Sequence, residues 1–313
     1  MATTLSDVQT KSKKVLDKNI CHNVLVVATT PRKENLQVDL EGIKKNVQFL
    51  TAHGVDFIMP QCGTGLVYDS TLEEFETVVG AFQDAAGNDA VVVPGIGPGY
   101  GRALEMGQIA RSLDVPGVMI MPIVGPASDR GVYRGLKSIC ESVGLPIVLY
   151  QRRLDIMPVD SVADLCALDE VVGLKYAVED IHAFDQILDK AGDKAAMVCG
   201  IAEDPCIEYM NHGAVGFSSG MANFVPQLSL KLHREFHTGD KNEAQRLRDL
   251  MVPFEDFRAE DGARYSAAAL HTAMEYAGLA GGPVIPFVED VAEADVPRVH
   301  QMMDVLLAEA KQI

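Results

Sequence analysis

The chain is poor in the features that most quickly place a protein. No run of apolar residues approaches the ~18 that a membrane-spanning helix needs. Residues 1–19 are polar, hold Lys11, Lys13 and Lys14, and have neither the apolar core of a signal peptide nor the arginines of an amphipathic targeting peptide; the first arginine is Arg32. Positive charge is scarce, with 27 Lys+Arg against 44 Asp+Glu and a net charge of −17. That balance argues against nucleic acid or an anionic membrane as partner, while a locally positive pocket can still take a small anion. The six cysteines (Cys21, Cys62, Cys140, Cys166, Cys199 and Cys206) form no Cys-x-x-Cys pair and lie mostly in apolar segments. They read as reduced core thiols of a cytoplasmic protein. No Asp/Glu/His group recurs across several strand ends, so no metal is expected. Glu203-Asp204 is one isolated acidic pair, readable as charge at a helix N-terminus.

What is present is a large apolar core and a regular alternation. Of the 313 residues, 48% are hydrophobic. Strand-like runs at 24–30, 56–61, 90–97, 117–123, 146–151, 171–177, 195–201 and 214–219 each precede a helical pattern. The first helical pattern, 36–53, places Leu36, Leu40, Ile43, Val47 and Leu50 on one face, and the second opens with Ser70 three residues before Glu73, the spacing of a capping box. Strands alternating with helices imply a parallel sheet. Eight such units in the ~250 residues usual for it predict an α/β fold of the (β/α)8 TIM-barrel type. An open doubly wound sheet would want a glycine-rich phosphate loop after the first strand, where Thr29-Thr30-Pro31 stands instead. Helical patterns alone follow, at about 241–257, 262–277 and 294–310. The expected division is a polar tail at 1–20, a barrel at 21–240 and a C-terminal helical extension at 241–313.

Active sites of such barrels lie at the C-terminal strand ends. Val171-Val172-Gly173-Leu174-Lys175-Tyr176-Ala177 is an apolar strand with one lysine inside it. Burial favours the neutral amine, a nucleophile that forms Schiff bases with carbonyls. The plainer reading is a lysine snorkelling to the strand end to meet a carboxylate. Tyr150 precedes Lys175 by one βα unit, so the two fall on adjacent strands, and a phenol there can shuttle protons; alone it could simply cover the barrel mouth. Gly63-Thr64-Gly65 can offer backbone N–H groups to a carboxylate or phosphate, or be only the turn the chain needs. Arg152 can anchor a second carboxylate or be a solvated loop residue. Ser218, Ser219 and Asn223 mark the end of the eighth strand.

The residues Gly63-Thr64-Gly65, Pro146–Tyr150, Gly173-Leu174-Lys175 and Gly216–Asn223, in this order and spacing, resemble the dihydrodipicolinate synthase / N-acetylneuraminate lyase superfamily of Schiff-base barrels over about residues 24–310. The resemblance implies that Lys175 forms an imine with a 2-oxo acid, that Tyr150 relays protons, and that Gly63 and Thr64 bind the substrate carboxylate, with no cofactor beyond the imine. It also implies a homo-oligomer, dimer or tetramer. Within the superfamily the chain is most similar to the 5-dehydro-4-deoxyglucarate dehydratase branch, through Cys62-Gly63-Thr64-Gly65, Tyr150-Gln151-Arg152, Phe217-Ser218-Ser219 with Asn223-Phe224, and Gly281-Gly282-Pro283-Val284-x-Pro286. Leu66 stands where that branch usually has Glu, and Gln151 where it has Asn; both bear on the substrate. The aromatic pair of the synthase is replaced by Ile123-Val124, and its dicarboxylate-binding arginine aligns with Asp155, which argues against the synthase reaction. The expected activity is a lyase on a 2-oxo sugar acid, a dehydratase that also releases CO2. The alternatives are a pyruvate-dependent aldolase or condensing enzyme, and a non-catalytic barrel that binds a 2-oxo acid.

Overall fold

The computed structural model describes residues 14–313. Nine short strands form one parallel sheet: β1 (Val24–Val27), β2 (Phe57–Met59), β3 (Val91–Val92), β4 (Gly95–Ile96), β5 (Val118–Ile120), β6 (Ile147–Gln151), β7 (Val171–Tyr176), β8 (Ala196–Cys199) and β9 (Gly216–Ser219). Their order is β3-β2-β1-β9-β8-β7-β6-β5-β4. The two edges of that order are consecutive in the chain, separated by Val93-Pro94 alone. On one side, the N–H groups of Val93 and Gly95 donate to Ile58 and Pro60; on the other, Met119 and Met121 donate to Pro94 and Ile96. The stretch from 91 to 96 thus joins both edges and closes a barrel. Eight strands were expected and nine segments are found because Pro94 has no N–H and interrupts the ladder in the middle of the third.

Helices wrap the barrel with their apolar stripes inward. Helix Leu40–Ala52 buries Ile43, Val47 and Leu50, but Leu36 and Leu40, expected on the same face, are exposed. Leu36 lies before the helix with a left-handed backbone (φ 66°), so the helical period does not reach it. The cap of helix Leu72–Ala86 is Thr71, whose hydroxyl accepts from Glu74 N–H at 3.1 Å. Ser70, the expected cap, instead donates inward to Gln61 (2.9 Å) and to the Val67 carbonyl (3.0 Å).

The N-terminal strand ends are sealed by a segment that composition marked as tail. Leu16 and Cys21 are buried, and a Cβ on Gly117 would lie 2.2 Å from Leu16 Cδ2. Lys14 pairs with Asp56 at 2.9 Å. Residues 14–20 therefore pack under the barrel; Lys11 and Lys13 lie outside the described residues. All six cysteines are buried and unpaired. After the barrel come helices Lys241–Ala263, Ala268–Tyr276 and Val296–Ala310. The first runs past its expected end until the backbone leaves helical geometry at Glu260–Gly262, and its last turns hold Glu255 and Arg258 at the C-terminal mouth. No described helix is long and apolar enough to cross a membrane.

Candidate active site

Side chains of β7 alternate. Leu174 and Tyr176 face the helices, where the Tyr176 ring meets Phe184 at 5.3 Å and Tyr209 at 6.0 Å; Lys175 faces the lumen. The register pairs Lys175 with Tyr150 of β6 and Val198 of β8. Lys175 is only 4% exposed. Its Nζ donates to the Gly200 carbonyl at 3.0 Å and stands 3.7 Å from the centroid of the Tyr150 ring. Among the described residues no carboxylate pairs with it, so the snorkelling ion pair considered from the sequence is not what the strand builds. Gly200 was not singled out from the sequence, yet it shapes the site. A Cβ there would stand 2.8 Å from Lys175 Cγ and 2.9 Å from the Ala177 Cβ, so only glycine lets the lysine stem pass and offers its carbonyl to the amine. Its one sequence signal is its place just beyond a barrel strand.

Lys175 opens onto a cavity of about 430 Å³ whose walls include Tyr150, Arg152, Gly63, Thr64 and Ser218, a size usual for small-molecule sites. Burial would raise the phenol of Tyr150, but the charges of Lys175 and Arg152 outweigh it and hold the group below its ordinary value. Cys62 shares the cavity. Its thiol is pushed up to about 12 by burial, against the opposing effects of Lys175 and the Gly95 N–H, and stays protonated.

The turn from Gly63 to Leu66 is bracketed by left-handed residues, Gln61 (φ 52°) and Leu66 (φ 56°). The N–H groups of Gly63, Thr64 and Gly65 meet no acceptor among the described residues, which leaves donors free for an anion. No α-helix follows directly: a single 3-10 turn, Val67–Asp69, intervenes before Leu72, so the donors are those of the turn itself.

Three expected contacts do not line the cavity. Along β9, Ser218 faces the lumen, while Phe217 and Ser219 point the other way, as strand alternation requires. Ser219 donates to Glu203 and accepts from Ala222 N–H at 2.8 Å. Asn223 ties β9 to β1, donating to the Val27 and Gly220 carbonyls at 2.8 Å each. The Gly65 carbonyl accepts from Thr30 at 3.2 Å, and its Cα packs so that a Cβ would sit 3.1 Å from the Ala28 carbonyl. Gln151 is also turned away, donating to the carbonyls of Arg153 and Met157. Its replacement of Asn therefore acts on the loop after β6 and does not reach the cavity wall.

Glu203 departs furthest from its sequence reading. It is fully buried, not a surface charge at a helix end. Ser219 and Ser229 donate to its Oε1, the latter at 2.9 Å, while Oε2 has no partner among the described residues. Burial and the nearby Glu255 raise its carboxyl to about 7, against the opposing effects of Ser219, Ser229 and Arg258. Glu255 and Arg258 line the cavity from the helical extension, joined at 2.7 Å.

With this geometry in view, the comparisons are specific. The profile of the dihydrodipicolinate synthetase family matches residues 21–305. A protein of Xanthobacter autotrophicus named probable 5-dehydro-4-deoxyglucarate dehydratase is 28% identical over 277 residues, covering 87% of this chain and 90% of its own length. The Bacillus subtilis protein of the same name is 26% identical over 276 residues, covering 85% and 89%. Among solved structures, dihydrodipicolinate synthase from Oceanobacillus iheyensis superposes with a TM-score of 0.87 at 29% identity, over 95% of this chain and 98% of that one. A catalytic lysine mutant of sialic acid aldolase from Ruminococcus gnavus gives 0.85 at 15% identity over 94% and 98%, a likeness of fold alone. The closed barrel, the lysine facing its lumen and a match that spans nearly every described residue lead to one assignment: the chain belongs to the dihydrodipicolinate synthetase family and is an enzyme of the class I lyase and aldolase type.

Proposed function

We propose that the protein dehydrates a 2-oxo sugar acid of the 5-dehydro-4-deoxyglucarate kind through an imine on Lys175. The observation that carries this reading is the Lys175 amine itself: buried at the cavity floor, held by the Gly200 carbonyl at 3.0 Å, over the Tyr150 ring, with no carboxylate partner among the described residues. Amine and ketone condense with loss of water. The imine then draws electrons from C3, a proton leaves that carbon, and the electron pair expels the C4 hydroxyl, which takes a proton and departs as water. Tyr150, its phenol held below its ordinary value, moves these protons. Gly63 and Thr64 hold the carboxylate next to the ketone. The C5–C6 bond then breaks to release CO2, its electron pair passing through the new C3=C4 bond into the imine; protons return to C3 and C4 as the C5 enol becomes an aldehyde, and hydrolysis of the imine releases the semialdehyde and returns the lysine. The electron sink is the imine, so no further cofactor takes part. The names of the curated relatives support this substrate class.

The test is reductive trapping. Borohydride with pyruvate should add the mass of the reduced adduct at Lys175, and Lys175→Ala should give no adduct. An adduct on another lysine, or none in the wild type, rejects the reading. Product analysis separates the chemistry: a semialdehyde with CO2 supports dehydration, whereas pyruvate with an aldehyde assigns the same lysine to aldol cleavage.

A further inference from the structure

Three cationic side chains line the cavity: Lys175, Arg152 and Arg258. In the reading above, Lys175 is consumed by the imine. Arg152 is exposed, where water and salt weaken any ion pair it makes. Arg258 differs from both. It comes from the C-terminal extension, on the helix that overruns its expected end, and is 8% exposed. Its Nε donates to the Ser266 carbonyl at 2.9 Å and its Nη1 to both oxygens of Glu255, at 2.8 and 2.7 Å. Its Nη2 finds no acceptor among the described residues. The guanidinium lies against the end of β9, where a Cβ on Gly220 would stand 3.0 Å from Nη1 and 3.2 Å from Nη2. Gly220 and Ser218, on the same strand end, line the cavity as well. Arg258 is therefore fixed in orientation by two partners, shielded from water, and left with one donor edge unused.

We propose that Arg258 is the specificity-determining residue for the far end of the substrate, receiving a second carboxylate on Nη2 and so selecting 2-oxo diacids over 2-oxo monoacids. This rests on the imine reading, because the ketone must be anchored at Lys175 for the chain to extend toward the extension. With Nε and Nη1 engaged by Ser266 and Glu255, Nη2 keeps its N–H groups for a carboxylate, and a charge-assisted hydrogen bond is strong in a desolvated setting. Glu255 keeps the buried cation neutralised when no substrate is present, and its own position on the cavity wall limits the free guanidinium edge to one further carboxylate. Gly220 has a definite part as well, since any side chain there would push the guanidinium off the strand end.

The experiment compares two six-carbon ligands that differ only at the far end, 2-oxoadipate and 2-oxohexanoate, with pyruvate as a check on the imine. Half-saturating concentrations for borohydride trapping at Lys175 are measured in the full-length protein. The wild type should prefer the diacid by about 10- to 100-fold, as a charged hydrogen bond implies. Arg258→Gln should reduce that preference to within about threefold, and Arg152→Gln should leave most of it. If Arg258→Gln does not fold, as judged by its thermal melt, Arg258→Lys decides. It keeps the charge but loses the planar group that Glu255 and Ser266 hold in orientation, so the preference should fall partway. A wild type indifferent to the diacid, a preference that survives the Arg258 variants, one that vanishes in Arg152→Gln alone, or an equal weakening of both ligands overturns the assignment. A wild type that traps pyruvate but shows no diacid preference removes this inference alone. A wild type that traps nothing removes the imine reading and this inference with it.

Discussion

Two buried ionisable groups sit one strand apart at the top of this barrel and meet opposite fates. Lys175, on β7, points into the lumen, touches a single carbonyl and faces a cavity. Glu203, just past β8, is turned behind the wall, where two serines donate to one of its oxygens and the other has no partner among the described residues. Both are nearly or wholly removed from water. The difference is access: the lysine can exchange its carbonyl contact for a substrate, while the glutamate can only change its protonation in place. A buried charge becomes chemistry when something can reach it, and a pH-sensitive element of stability when nothing can.

Removing the reachable group should have the largest effect. Lys175→Ala should lower turnover at least about 10³-fold, since no other group supplies the nucleophile; steady-state assay at equal folded concentration measures it. Next, Tyr150→Phe should cost about 10²-fold or more in kcat while leaving reductive trapping with pyruvate detectable, because it removes a proton carrier and keeps the amine. If trapping disappears as well, Tyr150 acts in forming the imine and not after it. Gly200→Ala attacks the carbonyl that holds the lysine. The overlap with Lys175 Cγ and Ala177 should cost about 1–3 kcal/mol of stability by chemical denaturation, with slowed imine formation. Unchanged trapping rates would show that the lysine needs no such support.

The smallest effect belongs to the group that substrate cannot reach. The folded-state carboxyl of Glu203 is raised to about 7 from an ordinary value near 4.5. The folded protein thus binds the extra proton, and the stability this provides is present below the ordinary value and is lost as pH rises through about 7. Glu203→Gln, which carries a permanently neutral head, should remove roughly 1–3 kcal/mol of the decline between pH 5 and pH 8. Denaturation curves at the two pH values in both proteins measure it. A wild-type decline that the variant reproduces would mean that other groups govern it.

Much of this was legible in the chain, for reasons that particular residues make plain. Lys175 stands out because an amine in an apolar strand is improbable without a purpose, and strand alternation then places Tyr150 beside it. Ser219 was misassigned next to Ser218 because the expectation took strand ends as sets, whereas period-two geometry sends neighbours to opposite faces. Asn223 and Gln151 have the side chains of ligand-binding residues, yet the fold spends their hydrogen bonds on its own carbonyls. Glu203 was unreadable as a buried group because its shield, Ser219 and Ser229, comes from another strand and a later helix. Arg258 was invisible for the same reason: its helix belongs to the extension, and nothing local shows that the extension reaches the mouth.

The sequence by itself determined the alternation of strand and helix, the closed parallel barrel, the apolar strand around Lys175 and its neighbour Tyr150. These follow from local periodicity and from spacing of one βα unit, which the backbone must obey. Only the tertiary structure decided which polar groups face the lumen and which are spent on the wall, that residues 14–20 seal the lower end, and that Glu255 and Arg258 arrive from the far end of the chain. Those outcomes depend on contacts between segments distant in sequence, and burial, which sets the strength of every charge in this site, is a property of the assembled neighbourhood and not of any one residue.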